Sequence, residues 1–170
     1  MMNKYVKYKY NNTGDKMKVN WKRLILIIII TFVVGSFFSL FTMNNMDAFK
    51  ELNKPINVPS ILFPIVWSIL YLLMSISCYL ITISKDKEKD NGILLYSIQL
   101  IINSLWSLIF FGFETYLLAF IWLLLLLVSV IVMEIKFYKI DKRAAYLNIP
   151  YVLWIIFAGY LNFGIYLLNK

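Results

Sequence analysis

The chain is 170 residues long, 61% apolar and 18% aromatic, with only 15% charged residues and a mean hydropathy of +0.74. Soluble domains run at about 45–50% apolar and about 25% charged, so a water-soluble enzyme, a disulfide-stapled secreted module and a disordered chain are excluded. One membrane helix takes about 20 apolar residues, and this composition holds roughly five of them. The formal charge of +8 would suggest nucleic acid in a soluble protein; here its placement has to be read first.

Apolar runs and their breakers divide the chain into a basic tail, residues 1–23, and an all-α transmembrane domain, residues 24–170. Five spans are predicted. The first, 24–43, opens LILIIIITFVV. A connection at 44–60 follows, in which MDAFKELNKP suits a short interfacial helix and Pro55 and Pro59 stiffen the approach to the next span. The second span, 61–83, carries Pro64 in its first turn, where proline costs no hydrogen bond. The charged hairpin SKDKEKDNG leads to the third span, 93–113. Glu114-Thr115 is barely a turn, so the fourth span, 116–135, must lie antiparallel beside the third. The basic loop KFYKIDKR precedes the fifth, 144–168, which Pro150 should bend or loosen. No barrel-length segment alternates with period two, which disfavours a β-barrel.

Fourteen of the seventeen basic residues fall on one side of this layout: seven in the tail, three after span two and four after span four. The other side holds Lys50, Lys54 and Lys170. By the positive-inside rule the N-terminus is cytoplasmic and the C-terminus outside. The expected location, which the charge pattern does not itself establish, is a bacterial cytoplasmic membrane. The charge is thus a topology signal, and no nucleic-acid partner is expected. The tail sequence KYVKYKY also suits an anionic lipid surface.

Histidine is absent, and the single cysteine, Cys78, lies inside an apolar run. These are the usual ligands of zinc, haem and iron–sulfur centres, so neither a metal site nor a cofactor is expected. Ser-His and Cys-His catalysis are excluded for the same reason. No ionisable residue falls in the middle of a predicted span, which removes the usual machinery of a proton-coupled transporter. The polar residues at depth are Gln99, Asn103, Asn148 and Asn162, and amides in hydrocarbon must point at partners.

Helical spacing groups these amides with aromatic residues. Trp67 and Tyr71 lie one turn apart on span two; Asn103, Trp106 and Phe110 share a face of span three; Trp154, Ala158, Leu161 and Asn162 share a face of span five. Converging, the three faces would line an aromatic cavity for a large, flat, apolar ligand. Diverging, the tryptophans would form an interface belt and the asparagines would join helices. Spacing alone leaves both open.

Three ordered motifs bear on that choice: FPIVWSILYLLMS in span two, INSLWSLIFFG in span three and LNIPYVLWIIFAGYLNFGIYLLN in span five. From about Gly35 to the C-terminus the chain resembles the TspO/MBR family, the tryptophan-rich sensory proteins that include the mitochondrial translocator protein. The resemblance implies five membrane helices around an internal pocket, in a homodimer. It implies ligands such as porphyrins, cholesterol in animal members, or benzodiazepine-type drugs. Matched by motif, Trp67, Tyr71, Asn103, Trp106, Trp154, Ala158 and Leu161 would line the pocket, with Phe110 and Pro59 beside them. Trp67 and Trp154 match the pair implicated in light-dependent porphyrin breakdown by some bacterial members, and would be catalytic only if this chain performs it.

The first loop departs from the family's pattern. Ala48 stands where a tryptophan is usual and Phe49 where a tyrosine is; a second tryptophan is missing near Ile56 or Asn57; and Pro59 remains of a proline pair. The expected function is a membrane receptor or sensor for a tetrapyrrole or similar flat ligand. Light-dependent porphyrin degradation and transport of a hydrophobic molecule are the alternatives. The C-terminal Leu161, Tyr166 and Lys170 satisfy a cholesterol-recognition spacing that chance explains more readily.

Overall fold

A computed structural model describes residues 19–42, 49 and 51–170; the basic tail to residue 18 and most of 43–50, with the first part of the expected interfacial helix, lie outside them. Five helices are long and apolar enough to cross a membrane: α1 (Trp21–Thr42), α2 (Leu62–Thr82), α3 (Lys89–Ser107, continued by a π-helical turn, Leu108–Gly112), α4 (Tyr116–Ile140) and α5 (Lys142–Leu168). No strand occurs among the described residues. The helices form a ring in the order α1, α2, α5, α4, α3, with α3 closing back on α1. At one end, called here the basic end, lie the start of α1, the Ser84–Glu88 hairpin and the turn at Asp141. At the other, the loop end, residues 51–60 cross the bundle.

The helices outrun the predicted spans at the basic end. Helix α3 starts at Lys89 rather than 93 and α4 continues to Ile140 rather than 135, so the expected loop KFYKIDKR shrinks to the single extended residue Asp141. Apolarity marks where lipid ends, not where a helix must. Lysine is a good helix former, and its methylene stem lies along apolar surface while its ammonium reaches water. As a result Glu134 lies nearly two turns before the end of its helix. Helix α5 runs through Pro150 without a break in its helical assignment, and Pro150 itself is exposed.

Buried side chains tie the ring together. Thr31 Oγ1 on α1 bonds Tyr96 Oη on α3 at 2.7 Å; Tyr151 Oη on α5 donates to Gln99 Oε1 on α3 at 2.9 Å. Asn148 Nδ2 on α5 donates to both Ser77 Oγ on α2 and Glu134 Oε1 on α4, and Ser77 donates on to the Ala144 carbonyl. Trp122 Nε1 on α4 donates to the Ile102 carbonyl on α3 at 2.8 Å. Around these bonds, Met74, Leu126, Val130, Met133, Phe137 and Ile165 are fully buried.

Asp141 makes the α4–α5 turn. Its carboxylate accepts from the Arg143 N–H at 2.9 Å, capping α5, and pairs with the Arg143 guanidinium at 2.7 Å. Partial burial pushes its pKa up, but the Arg143 side-chain and backbone hydrogen bonds outweigh this and hold it below the usual carboxylate value. Replacing it, Asp141→Ala, should cost about 1 kcal/mol, the usual worth of a cap, with little added by the exposed Arg143 pair. Because the folded pKa is lowered, the contribution is complete above pH ~3.9, the unperturbed value, and is lost as pH falls through the folded value. Thermal unfolding in detergent should therefore separate variant and parent at neutral pH and bring them together in acid.

Candidate functional site

At the loop end, α1 leans on α2 and α3 across a cavity of about 380 Å³. Trp67 and Tyr71 of α2 and Asn103 and Trp106 of α3 line it, with Phe63 and Phe111 completing an aromatic wall. Helix α1 supplies Phe32, Ser36, Ser39 and Thr42. Pro64 and Ser68, also in the lining, are exposed, so the cavity opens at the seam between α1 and α2.

One side chain sets this geometry. Tyr71 Oη donates to the Gly35 carbonyl of α1 at 2.8 Å and accepts from Asn103 Nδ2 of α3 at 3.2 Å. Gly35 allows that approach, since a Cβ there would lie 2.7 Å from the Tyr71 ring. The Tyr71 ring packs edge-on against Phe32 at 5.5 Å and beside Trp67 at 5.4 Å. Asn103 Oδ1 and Trp106 Nε1 are buried with no hydrogen-bond partner within the described structure. An acceptor and a donor are thus left unpaired on residues of an aromatic cavity, where an unmatched polar atom costs ~1–3 kcal/mol.

The structure brings four of the sequence-identified residues, Trp67, Tyr71, Asn103 and Trp106, to this cavity and leaves the others out. Ala158, Leu161 and Phe110 border a separate void of only about 10 Å³. Trp154 borders neither and packs half-buried against Phe63 at 6.0 Å. Pro59 is exposed and borders neither. The correction has a physical cause: aromatic rings fill the space where the α3 and α5 faces were expected to enclose a ligand. Phe49 lies there, 3% exposed, with Phe63 at 5.4 Å and Phe110 and Phe111 each at 6.0 Å.

Phe49 belongs to the first loop, so the loop closes the bundle from within. Lys54 Nζ lies 4.8 Å over the Phe49 ring. Pro55 packs so tightly on α5 that a Cβ on Gly164 would lie 2.4 Å from its Cγ. Asn53 N–H donates to Asn169 Oδ1 at 3.0 Å, and Asn169 Nδ2 donates back to the Asn53 carbonyl at 2.8 Å. Among the described residues, Phe49, Pro55, the buried Val58 and the Asn53–Asn169 amide clasp anchor the loop.

Sequence reasoning missed the α1 wall and the π-helical turn. The wall had a signal: Phe32, Ser36 and Ser39 follow 0, 4, 7 spacing on one face of the span. In the turn, Phe113 N–H donates to the Leu108 carbonyl at 2.9 Å, five residues back. The extra residue re-aims Phe110 and Phe111, and Glu114 at φ 53° then ends the helix in the left-handed region.

Five helices long and apolar enough to cross a membrane, three of them bordering an aromatic cavity, define a polytopic membrane protein. The chain belongs to the TspO/MBR family, whose sequence model matches residues 27–168. It is 37% identical over 150 residues to the tryptophan-rich protein TspO of Chlorobaculum tepidum, covering 86% of this chain and 95% of that one. Protein CrtK of Rhodobacter capsulatus is 36% identical over 124 residues, 71% of this chain and 78% of that one. The human translocator protein is 30% identical over 104 residues, 59% of this chain and 62% of that one. The chain is an integral membrane protein of a sensor and translocator family.

Removing the plug tests the role given to Phe49. Phe49→Ala should destabilise the protein by about 3–5 kcal/mol, the usual cost of emptying a buried phenylalanine site, read as an earlier midpoint in SDS-induced unfolding. In the same background an Ala158→Cys thiol should label faster with a small maleimide than it does behind an intact Phe49. Buried Cys78 serves as the slow reference.

Proposed function

We propose that the protein is a membrane receptor or sensor that takes a flat, mainly apolar ligand of the tetrapyrrole class into the cavity bounded by α1, α2 and α3. One observation carries the reading: aromatic walls enclose the residues of a buried, unpartnered donor and acceptor, Trp106 Nε1 and Asn103 Oδ1. Stacking on the indoles would supply most of the affinity, and the two polar atoms would fix orientation. A volume of about 380 Å³ lies at the small end of ligand sites, so a macrocycle would enter edge-first and leave part of itself in the α1–α2 seam. With no histidine and a buried Cys78, the ligand is held by stacking and amides rather than through a bound metal. The basic end would face the cytoplasm, and the protein would act as a homodimer.

Binding is favoured over light-driven breakdown by the position of the tryptophans. A Trp67–Trp154 pair flanking one ligand would need both rings at the cavity, and Trp154 packs against Phe63 without lining it. No charged side chain lines the cavity, so movement of a ligand through it would be uncoupled from ions.

Titration of the purified protein with protoporphyrin IX in detergent should give saturable quenching of tryptophan emission. Trp106→Phe keeps a ring but loses the N–H, and should weaken binding by about 2–12-fold, the worth of a hydrogen bond of ~0.5–1.5 kcal/mol. Ser36→Phe should fill the cavity from α1 and abolish saturation. Trp154→Phe should leave the affinity unchanged. Quenching that never saturates, or that ignores Ser36→Phe, would overturn the proposal.

A further inference from the structure

A second groove lies at the basic end, on the outer surface between α3 and α4, far from the aromatic cavity. Its volume is about 370 Å³. On α3 it is lined by Asn91, Leu94 and Leu95, at 0, 3, 4 spacing; on α4 by Val132, Ile135, Lys136 and Lys139, at 0, 3, 4, 7. Both stripes have the same polarity. Helix α3 runs away from the basic end and α4 runs toward it, so Asn91, Lys136 and Lys139 stand at the mouth and the four aliphatic residues lie deeper. From Val132 to Lys139 is seven residues, about 10 Å of helix. Over that length the groove passes from hydrocarbon-like to cationic.

This gradient matches one class of molecule. A free anion would find the two lysines but has no use for the apolar floor, and a zwitterionic lipid would fill the floor but bring its own cation and no net charge to balance the lysines. We propose that the groove is a binding site for an anionic phospholipid, with its phosphate between Lys136 and Lys139 and its first acyl methylenes along Leu94, Leu95, Val132 and Ile135. Basic pockets between membrane helices recognise lipid headgroups in this way. The occupant is argued from charge complementarity and from the groove's place at the basic end, where apolar helix surface gives way to lysines.

Glu88 gives the site a competitor. In the structure Lys136 Nζ is paired with Glu88 Oε2, and Asn91 Nδ2 donates to the same oxygen at 2.8 Å. Those contacts hold the Glu88 carboxyl below its usual pKa, so it is charged at neutral pH. Both Glu88 partners are groove residues. A lipid phosphate would therefore draw Lys136 away from an exposed carboxylate, an exchange made easy because exposed ion pairs are weak.

The test uses the full chain in nanodiscs of phosphatidylcholine with a minor fraction of phosphatidylglycerol, followed by native mass spectrometry of retained lipid. Phosphatidylglycerol should be retained well above its share in the disc. The double variant Lys136→Gln/Lys139→Gln should lose about 25-fold in that preference, at about fivefold per lysine. Leu94→Trp, which fills the groove and leaves every charge in place, should lose it as well. Glu88→Gln should strengthen it by releasing Lys136. Lys85→Gln/Lys87→Gln, on the adjacent hairpin outside the groove, should leave it unchanged. Retention at the disc ratio, or an equal loss on changing the hairpin lysines, would reduce the effect to diffuse attraction and overturn the site. Protoporphyrin titration of the same variants should be unaltered, so the two sites stand or fall separately.

Discussion

The hydroxyl of Tyr71 occupies the point where α1, α2 and α3 meet, and the cavity depends on it. It gives its proton to the Gly35 carbonyl and takes one from the Asn103 amide, so one oxygen sets the positions of two neighbouring helices. Water cannot substitute for these partners at this depth, because an unpaired polar group in hydrocarbon costs several kcal/mol. Gly35 is the steric counterpart, since any side chain there would meet the ring. The cavity lies beside this contact and extends toward the loop end, where Trp67 and Trp106 line it.

The remaining interhelical bonds obey the same constraint but serve a different purpose. Bonds of this kind in membranes average ~0.6 kcal/mol each, too little to hold a bundle whose buried apolar surface is far larger. What they supply is register. The Asn148 amide reaches both Ser77 and Glu134 only if α2, α4 and α5 are correctly rotated about their axes. The Thr31–Tyr96 and Tyr151–Gln99 pairs impose the same condition on α1, α3 and α5. Packing makes the bundle stable, and these bonds make it a single bundle.

Much of this was legible in the sequence, for identifiable reasons. Five apolar runs separated by charge left no other fold, and the two-residue turn at Glu114-Thr115 placed α3 beside α4. Helical spacing grouped Trp67 with Tyr71 and Asn103 with Trp106 but left an interface belt open, and only the family motifs pointed these faces at a cavity. The α5 face did not follow, because spacing places Ala158 and Leu161 on one side of a helix without saying what lies opposite. A phenylalanine from the first loop lies opposite, and a long-range insertion of that kind leaves no periodic trace. The ends of α3 and α4 were misjudged because hydropathy reports lipid contact, whereas lysines continue a helix beyond it. The π-helical turn in LIFFG has no compositional signature at all.

The two ends of the bundle differ in how they treat buried polarity. Among the described residues, Gln99 and Asn148, nearer the basic end, each keep at least one bond within the bundle. The side chains of Ser104, Trp106 and Asn162, toward the loop end, and of Trp154, near mid-depth, make none through their buried polar atoms. Natural folds seldom leave buried polar groups unpaired, and such groups collect where a site is built to receive something else. One half of the protein is therefore a frame keyed by interhelical side-chain bonds, with Gln99 Nε2 and Asn148 Oδ1 left unpaired, and is bordered by the cationic groove. The other half holds unmatched donors and acceptors among aromatic rings under a loop pinned by Phe49, Pro55 and Asn53. That division puts the entry route of the proposed ligand at the loop end and the α1–α2 seam, where Pro64 and Ser68 of the cavity lining are exposed.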